Sequence, residues 1–207
     1  MEGEQHTEIW GTTFHHELDE AVLENNLIKL KAMLSKDPSL ISHKDNFGRS
    51  PLHNAALHGL VEVLSLFIAH GADVNMRSNS GNIALHHAAY MGHYDSAVLL
   101  VKRGSDVNAI NRDGMTPLHD VAKYGRNKIA RLLIENGAEV NAAEKITGST
   151  PLITASRYGN KEIVWLLLKG GADASLKNSA GDSAFALAKR LGHSELIRLF
   201  SSEGREK

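Results

Sequence analysis

The stretch TPLHDVAKYGRN, residues 116–127, sets His119 directly before Asp120. An imidazole beside a carboxylate is a common general base, and both groups can ligate a metal. His86-His87 makes a second such pair in a chain of 12 histidines. Chemistry of this kind needs its groups at the spacing of a site. No HExxH-like pattern and no histidines at i,i+4 occur, and nucleophile elbow, P-loop and GxGxxG fingerprints are absent too. The chain has no cysteine, which excludes thiolate ligands, disulfides and cysteine nucleophiles.

Composition sets outer bounds. With 207 residues, 42% hydrophobic and 23% charged, the chain can bury the core of one or two soluble domains. A formal net charge of −1 provides no global field for nucleic acid or acidic lipid, so neither is expected as a partner. The first 20 residues contain no apolar signal region, and the longest apolar runs, Ala97–Val101 and Ile163–Leu168, fall far short of a membrane span. The expectation is a cytoplasmic protein, with the nucleus, or a host cell for a bacterial effector, left open.

The elements that must position these residues recur along the chain. GRSPLHNAALHG (48–59), GNIALHHAAYMG (81–92), GMTPLHDVAKYG (114–125), GSTPLITASRYG (148–159) and GDSAFALAKRLG (181–192) align without gaps. Their first glycines are 33, 33, 34 and 33 residues apart. HGADVN (70–75), RGSDVN (103–108), NGAEVN (136–141) and GGADAS (170–175) close the first four. Self-similarity at such a period is the mark of a repeat architecture. The pattern closely resembles the ankyrin repeat, over about 155 residues. The resemblance implies an all-α solenoid of stacked helix–turn–helix units with projecting loops, six units including two caps.

The physics of each unit agrees. Ser50, Thr116, Thr150 and Ser183 stand where a hydroxyl caps a helix, and Pro51, Pro117 and Pro151 take its first position, where a missing N–H costs nothing. Gly59, Gly92, Gly125, Gly159 and Gly192 suit the left-handed conformation that ends it. A second helix carries an apolar stripe, Val61/Leu64/Phe67/Ile68 in one unit, Ala97/Leu100/Val101, Ile129/Leu132/Leu133/Ile134 and Ile163/Leu166/Leu167 in the next three. No unit can bury that stripe alone, so neighbours must stack. The expected boundaries are a flexible tail over 1–13, a cap over 14–44, repeats over 45–77, 78–110, 111–143 and 144–177, a C-terminal cap over 178–200 and a polar tail over 201–207. Asn25 takes the place of the inter-helix glycine in the first cap, and Trp10 and Phe14 could pack onto that unit. Ile83-Ala84 replaces hydroxyl-Pro, which predicts a lost cap worth about 1 kcal/mol. The extra residue in EKITG (144–148) predicts a bulged loop tip.

Against this repeat, His119 has counterparts at His53 and His86, whereas the Asp120 position reads Asn54, His87, Asp120, Thr154 and Leu187. A catalytic dyad would not keep its His while its Asp varies. The repeated His is expected to bond backbone across the stack, with no catalytic residue, no metal and no cofactor. The resemblance places partner docking on the concave face, made by loop tips and the ends of first helices. There the sequence sets Leu57, His58, Tyr90, Met91, Lys123, Tyr124, Arg157, Tyr158 and Arg190-Leu191, with Phe47, Arg49, Arg112 and Met115 at the tips. Tyr, Met and Arg are enriched at interface centres, although each tyrosine could equally pack between first helices. The basic C-terminal half suits an acidic or phosphorylated segment. The resulting expectation is a non-enzymatic, monomeric adaptor, inhibitor or targeting module. The alternative implied by the family is a scaffold hydroxylated at Asn75, Asn108 and Asn141 by an asparaginyl hydroxylase.

Overall fold

A glycine stop holds each of the five repeated first helices to about two turns, and three of them start on a hydroxyl and proline, Ser50-Pro51, Thr116-Pro117 and Thr150-Pro151. A computed structural model describes residues 13–202, with side chains from Glu17 onward. Of the expected tails over 1–13 and 201–207, residues 1–12 and 203–207 lie outside the described residues, and the packing of Trp10 and Phe14 lies outside the described side chains. First helices are α3 (Pro51–Leu57), α5 (Ala84–Met91), α7 (Pro117–Tyr124), α9 (Pro151–Arg157) and α11 (Ala184–Arg190). Second helices are α4 (Val61–Ala69), α6 (Tyr94–Lys102), α8 (Asn127–Glu135) and α10 (Lys161–Lys169). The chain enters through α1 (Thr13–Leu23), α2 (Leu27–Lys36) and a 3-10 turn at Pro38–Ser42, and ends in α12 (Ser194–Ser202). Among the described residues there is no β-strand, only an isolated bridge between Lys177 and Ser183.

Two layers result. First helices pack in order, α1 on α3, then α5, α7, α9 and α11; second helices pack as α2, α4, α6, α8, α10 and α12. Small side chains let the first layer close up: Ala55, Ala56, Ala88, Ala89, Ala122 and Ala155 are all fully buried. The second layer buries more than a stripe. In α4, Val63 and Leu66 are buried while the expected Val61 and Ile68 are only partly so; in α10, Val164 and Leu168 join the core. Each second helix is covered by its own first helix and by both neighbours, which widens the apolar face beyond one ridge.

Local departures have local causes. Asn25 has φ 53°, the left-handed conformation its glycine-like place requires, which Asn tolerates better than other side chains. The extra residue at the Glu144 tip lengthens the turn. Gly148 N–H bonds Glu144 O four residues back, where Gly48 bonds Asp45 O three back, and the Glu144 carboxylate accepts from Ile146 N–H at 2.6 Å and Thr147 N–H at 2.7 Å. That leaves Ile146 71% exposed at the tip. Helix α12 runs two residues into the expected polar tail. Ser201 and Ser202 remain helical with their hydroxyls donating back to Ile197 and Leu199 carbonyls. Phe200 is fully buried, edge-to-face with Phe185 at 5.8 Å.

Candidate protein-docking face

The repeated histidines are spent on backbone. His119 Nδ1 accepts from Thr116 N–H at 3.1 Å, so its proton sits on Nε2, which donates to the Ser149 carbonyl of the next unit at 3.1 Å. His53 does the same between Ser50 N–H (3.0 Å) and Asn82 O (3.0 Å), and His86 between Ile83 N–H (3.3 Å) and Met115 O (3.2 Å). All three are buried. Burial pushes the His53 and His119 pKa values down and that of His86 to about 4. With both ring nitrogens bonded, none offers a lone pair to a metal or substrate. Where the His is missing, the cap hydroxyls of Thr150 and Ser183 accept from Ile153 and Ala186 N–H at 3.3 and 3.2 Å. Asp120 takes no part in this ladder; its half-buried carboxyl has no hydrogen bond or ion pair among the described residues. Burial raises its pKa to about 7, with Lys123 opposing.

A second ladder escaped the sequence reading. The residue after four of the five inter-helix glycines, Gly92, Gly125, Gly159 and Gly192, reaches back one unit to a carbonyl at the end of a first helix. His93 Nε2 meets Leu57 O at 3.1 Å, Arg126 Nε donates to Tyr90 O at 3.3 Å, Asn160 Nδ2 donates to Ala122 O at 2.8 Å, and His193 Nε2 meets Arg157 O at 3.2 Å. The only signal was a polar residue following glycine in each of these units. Gly59 also has to be bare for this reason: a Cβ there would lie 2.6 Å from His93 Nδ1. In the loops, Asn75 Nδ2 donates to Gly104 O at 3.1 Å and its Oδ1 accepts from Asp106 N–H at 2.8 Å. Asn108 repeats both bonds with Gly137 and Glu139, and Asn141 Oδ1 accepts from Asp173 N–H.

The side chains projecting from these fixed helix ends form a row. Tyr90, Tyr124 and Tyr158 are 42%, 37% and 50% exposed. The Tyr90 and Tyr124 rings meet edge-to-face at 4.6 Å and 72°, and Lys123 Nζ lies 5.0 Å from the Tyr124 ring centre. The family model for ankyrin repeats, three copies, matches residues 18–111, 99–178 and 139–207.

The chain belongs to the ankyrin-repeat family. Ankyrin repeats are protein–protein interaction modules and are typically non-catalytic. The chain is similar to the serine/threonine-protein kinase VIK of Arabidopsis thaliana, 38% identical over 52 residues, and to the 2-5A-dependent ribonuclease of Mus musculus, 33% identical over 60 residues. Those stretches are 25% and 29% of this chain but 12% and 8% of the relatives, so it spans a small part of either. The activities in those names belong to those proteins.

On this ankyrin stack the candidate docking residues divide. Met91, His58, Arg157, Arg112 and Phe47 are exposed. Leu57 and Met115 are half-buried, and Met115 is held at both backbone ends, its N–H by Asn111 Oδ1 and its carbonyl by His86. Arg49 pairs with Asp45 at 2.7 Å and lies 4.9 Å over the Phe47 ring, while Arg190 pairs with Asp182 at 2.7 Å. Two expected cations are thus already neutralised, whereas Lys123, Arg157 and Arg112 have no ion pair among the described residues. Leu23, 60% exposed, extends the row onto the first cap in register with Leu57, a place the sequence reading passed over. Leu191, 48% exposed, ends it. Among the described residues, no three metal-ligating side chains gather and no helix is long and apolar enough to cross a membrane.

Proposed function

We propose that this ankyrin stack is a non-enzymatic, monomeric docking module that binds another protein across the ends of its first helices, as an adaptor, inhibitor or targeting protein. The supporting observation is the open tyrosine row: Tyr90 and Tyr124 pack on each other yet leave 42% and 37% of their surfaces in solvent, with Tyr158 half exposed beside them. Large, stiff amphipathic rings of this kind anchor interfaces. The backbone beneath them is pinned by the second ladder, so little ordering entropy opposes binding. Lys123 and Arg157 beside the row favour an acidic or phosphorylated partner segment. The test is affinity capture from native lysate with wild type and a Tyr90/Tyr124/Tyr158 triple alanine variant matched for folded fraction. Loss of a specific co-purifying protein is the expected result. Unchanged recovery with the row removed overturns the assignment.

A further inference from the structure

The charges along this row are not evenly spread. At its N-terminal end a cavity opens between α1, α3 and the loop before α3, lined by Asp19, Leu23, Asp45, Arg49, Asn54 and His58. Asp45 is satisfied there, its carboxylate taking Phe47 N–H at 2.8 Å, Arg49 N–H at 2.9 Å and Arg49 Nε at 2.7 Å. Asp19 is not: its one hydrogen bond among the described residues is a long 3.4 Å contact from Asn54 Nδ2. Leu23 offers an apolar wall beside it, the arrangement that takes the stem of a long basic side chain and neutralises its head. At the C-terminal end stand Lys123 and Arg157, which have no ion pair among the described residues, and exposed Lys189. Asp120 stands among them with its pKa raised by burial to about 7, so it is only partly ionised at neutral pH.

We propose that the docking face reads the direction of its partner segment: a basic side chain seats in the Asp19 cavity while acidic groups further along the same segment lie over Lys123 and Arg157. This rests on the docking function proposed above. Neighbouring helices pack about 8–10 Å apart, which sets the two subsites roughly 25 Å apart. An extended chain covers that in about eight residues. The occupant is a bipolar segment, basic at one end and acidic at the other, and its reversed counterpart places like charges against each other at both ends. The chain's net charge of −1 sums 23 cations and 24 carboxylates over the whole sequence and carries no trace of this local separation.

The experiment titrates two short probes, Ac-Leu-Arg-Leu-Arg-NH2 and Ac-Leu-Glu-Leu-Glu-NH2, into the isotope-labelled full chain and follows amide shifts at low salt. The basic probe is expected to move Asp19, Leu23, Asn54 and His58, and the acidic probe Lys123, Tyr124 and Arg157. Asp19→Asn, which keeps an acceptor for Asn54, weakens the basic probe about threefold and leaves the acidic probe alone; a Lys123→Gln/Arg157→Gln variant does the reverse. Basic-probe shifts centred elsewhere, no shifts from either probe, or an Asp19→Asn protein that binds the basic probe as wild type does, overturn the proposal. Lysate capture with the tyrosine variant decides the docking function separately, so either idea can fail while the other stands.

Discussion

Tyr90 and Tyr124, 34 residues apart in sequence, meet edge-to-face at 4.6 Å and still keep about two-fifths of their surfaces open. Packing between repeats and availability to a partner are therefore not alternatives at this pair. Tyr124→Ala should cost about 1 kcal/mol of stability through the lost ring contact. Tyr158 is 50% exposed with no such ring contact among the described residues, so Tyr158→Ala should leave the unfolding midpoint within about 0.5 kcal/mol of wild type while still weakening capture. Denaturant unfolding of the two variants checks the difference.

His119 ties Thr116 N–H to Ser149 O in a buried position. His119→Phe leaves the buried Thr116 N–H without its partner, while Ser149 O keeps only its bond from Glu144 N–H. A loss of about 1–3 kcal/mol is expected, the cost of one orphaned buried group. Preserved stability would mean that the ladder is dispensable.

Leu133 is fully buried between second helices. Leu133→Ala should cost about 2–5 kcal/mol, and because each unit touches only its neighbours the loss should unfold the stack from that unit outward. Hydrogen exchange, with protection falling first in α8 and its neighbours, checks this.

Ile83 carries a sharper expectation. It stands where the neighbouring units have a capping hydroxyl, and the sequence alone predicts that restoring Thr would help. In the fold its side chain is fully buried, and its N–H is already bonded to His86 Nδ1. Ile83→Thr gains a cap of about 1 kcal/mol and loses packing and buried apolar surface of similar or larger size while burying a hydroxyl. The variant is expected to be no more stable than wild type and up to about 1 kcal/mol less stable, as read by thermal unfolding.

Stability should fall in mild acid. His86 and His87 titrate at about 4 and 3 in the fold against 6.5 in the unfolded chain, because burial disfavours the imidazolium. Between those values the unfolded chain binds more protons, so their contribution is fully present above pH 6.5 and is lost as pH falls toward 4 and 3. Asp120 opposes: raised from 3.8 to about 7, it makes the folded state bind the extra proton, so its penalty is greatest above pH 7 and fades as pH falls toward 3.8. Asp120→Asn should therefore raise the melting temperature more at pH 8 than at pH 5. A double His86→Gln/His87→Gln variant should flatten the acid limb. A pH series of melting curves on both variants measures the two signs.

Much of this was legible because the repeat writes its rules in short range. A hydroxyl before proline, a glycine that must take positive φ and an apolar period of 3.6 act over a few residues, and five copies in register identify the all-α stack without coordinates. The same alignment separated His119 from Asp120, since only one of them recurs. Contacts between units obey no such local rule. That Arg126 reaches Tyr90 O, that Arg190 is already held by Asp182, that Ile83 lies in the core and that Leu23 continues the tyrosine row all depend on residues about 30 apart, or on opposite sides of a turn, meeting in space. Sequence alone determined which side chains each helix end presents. Only the stacking of one unit on the next decided which of them remain free to meet a partner.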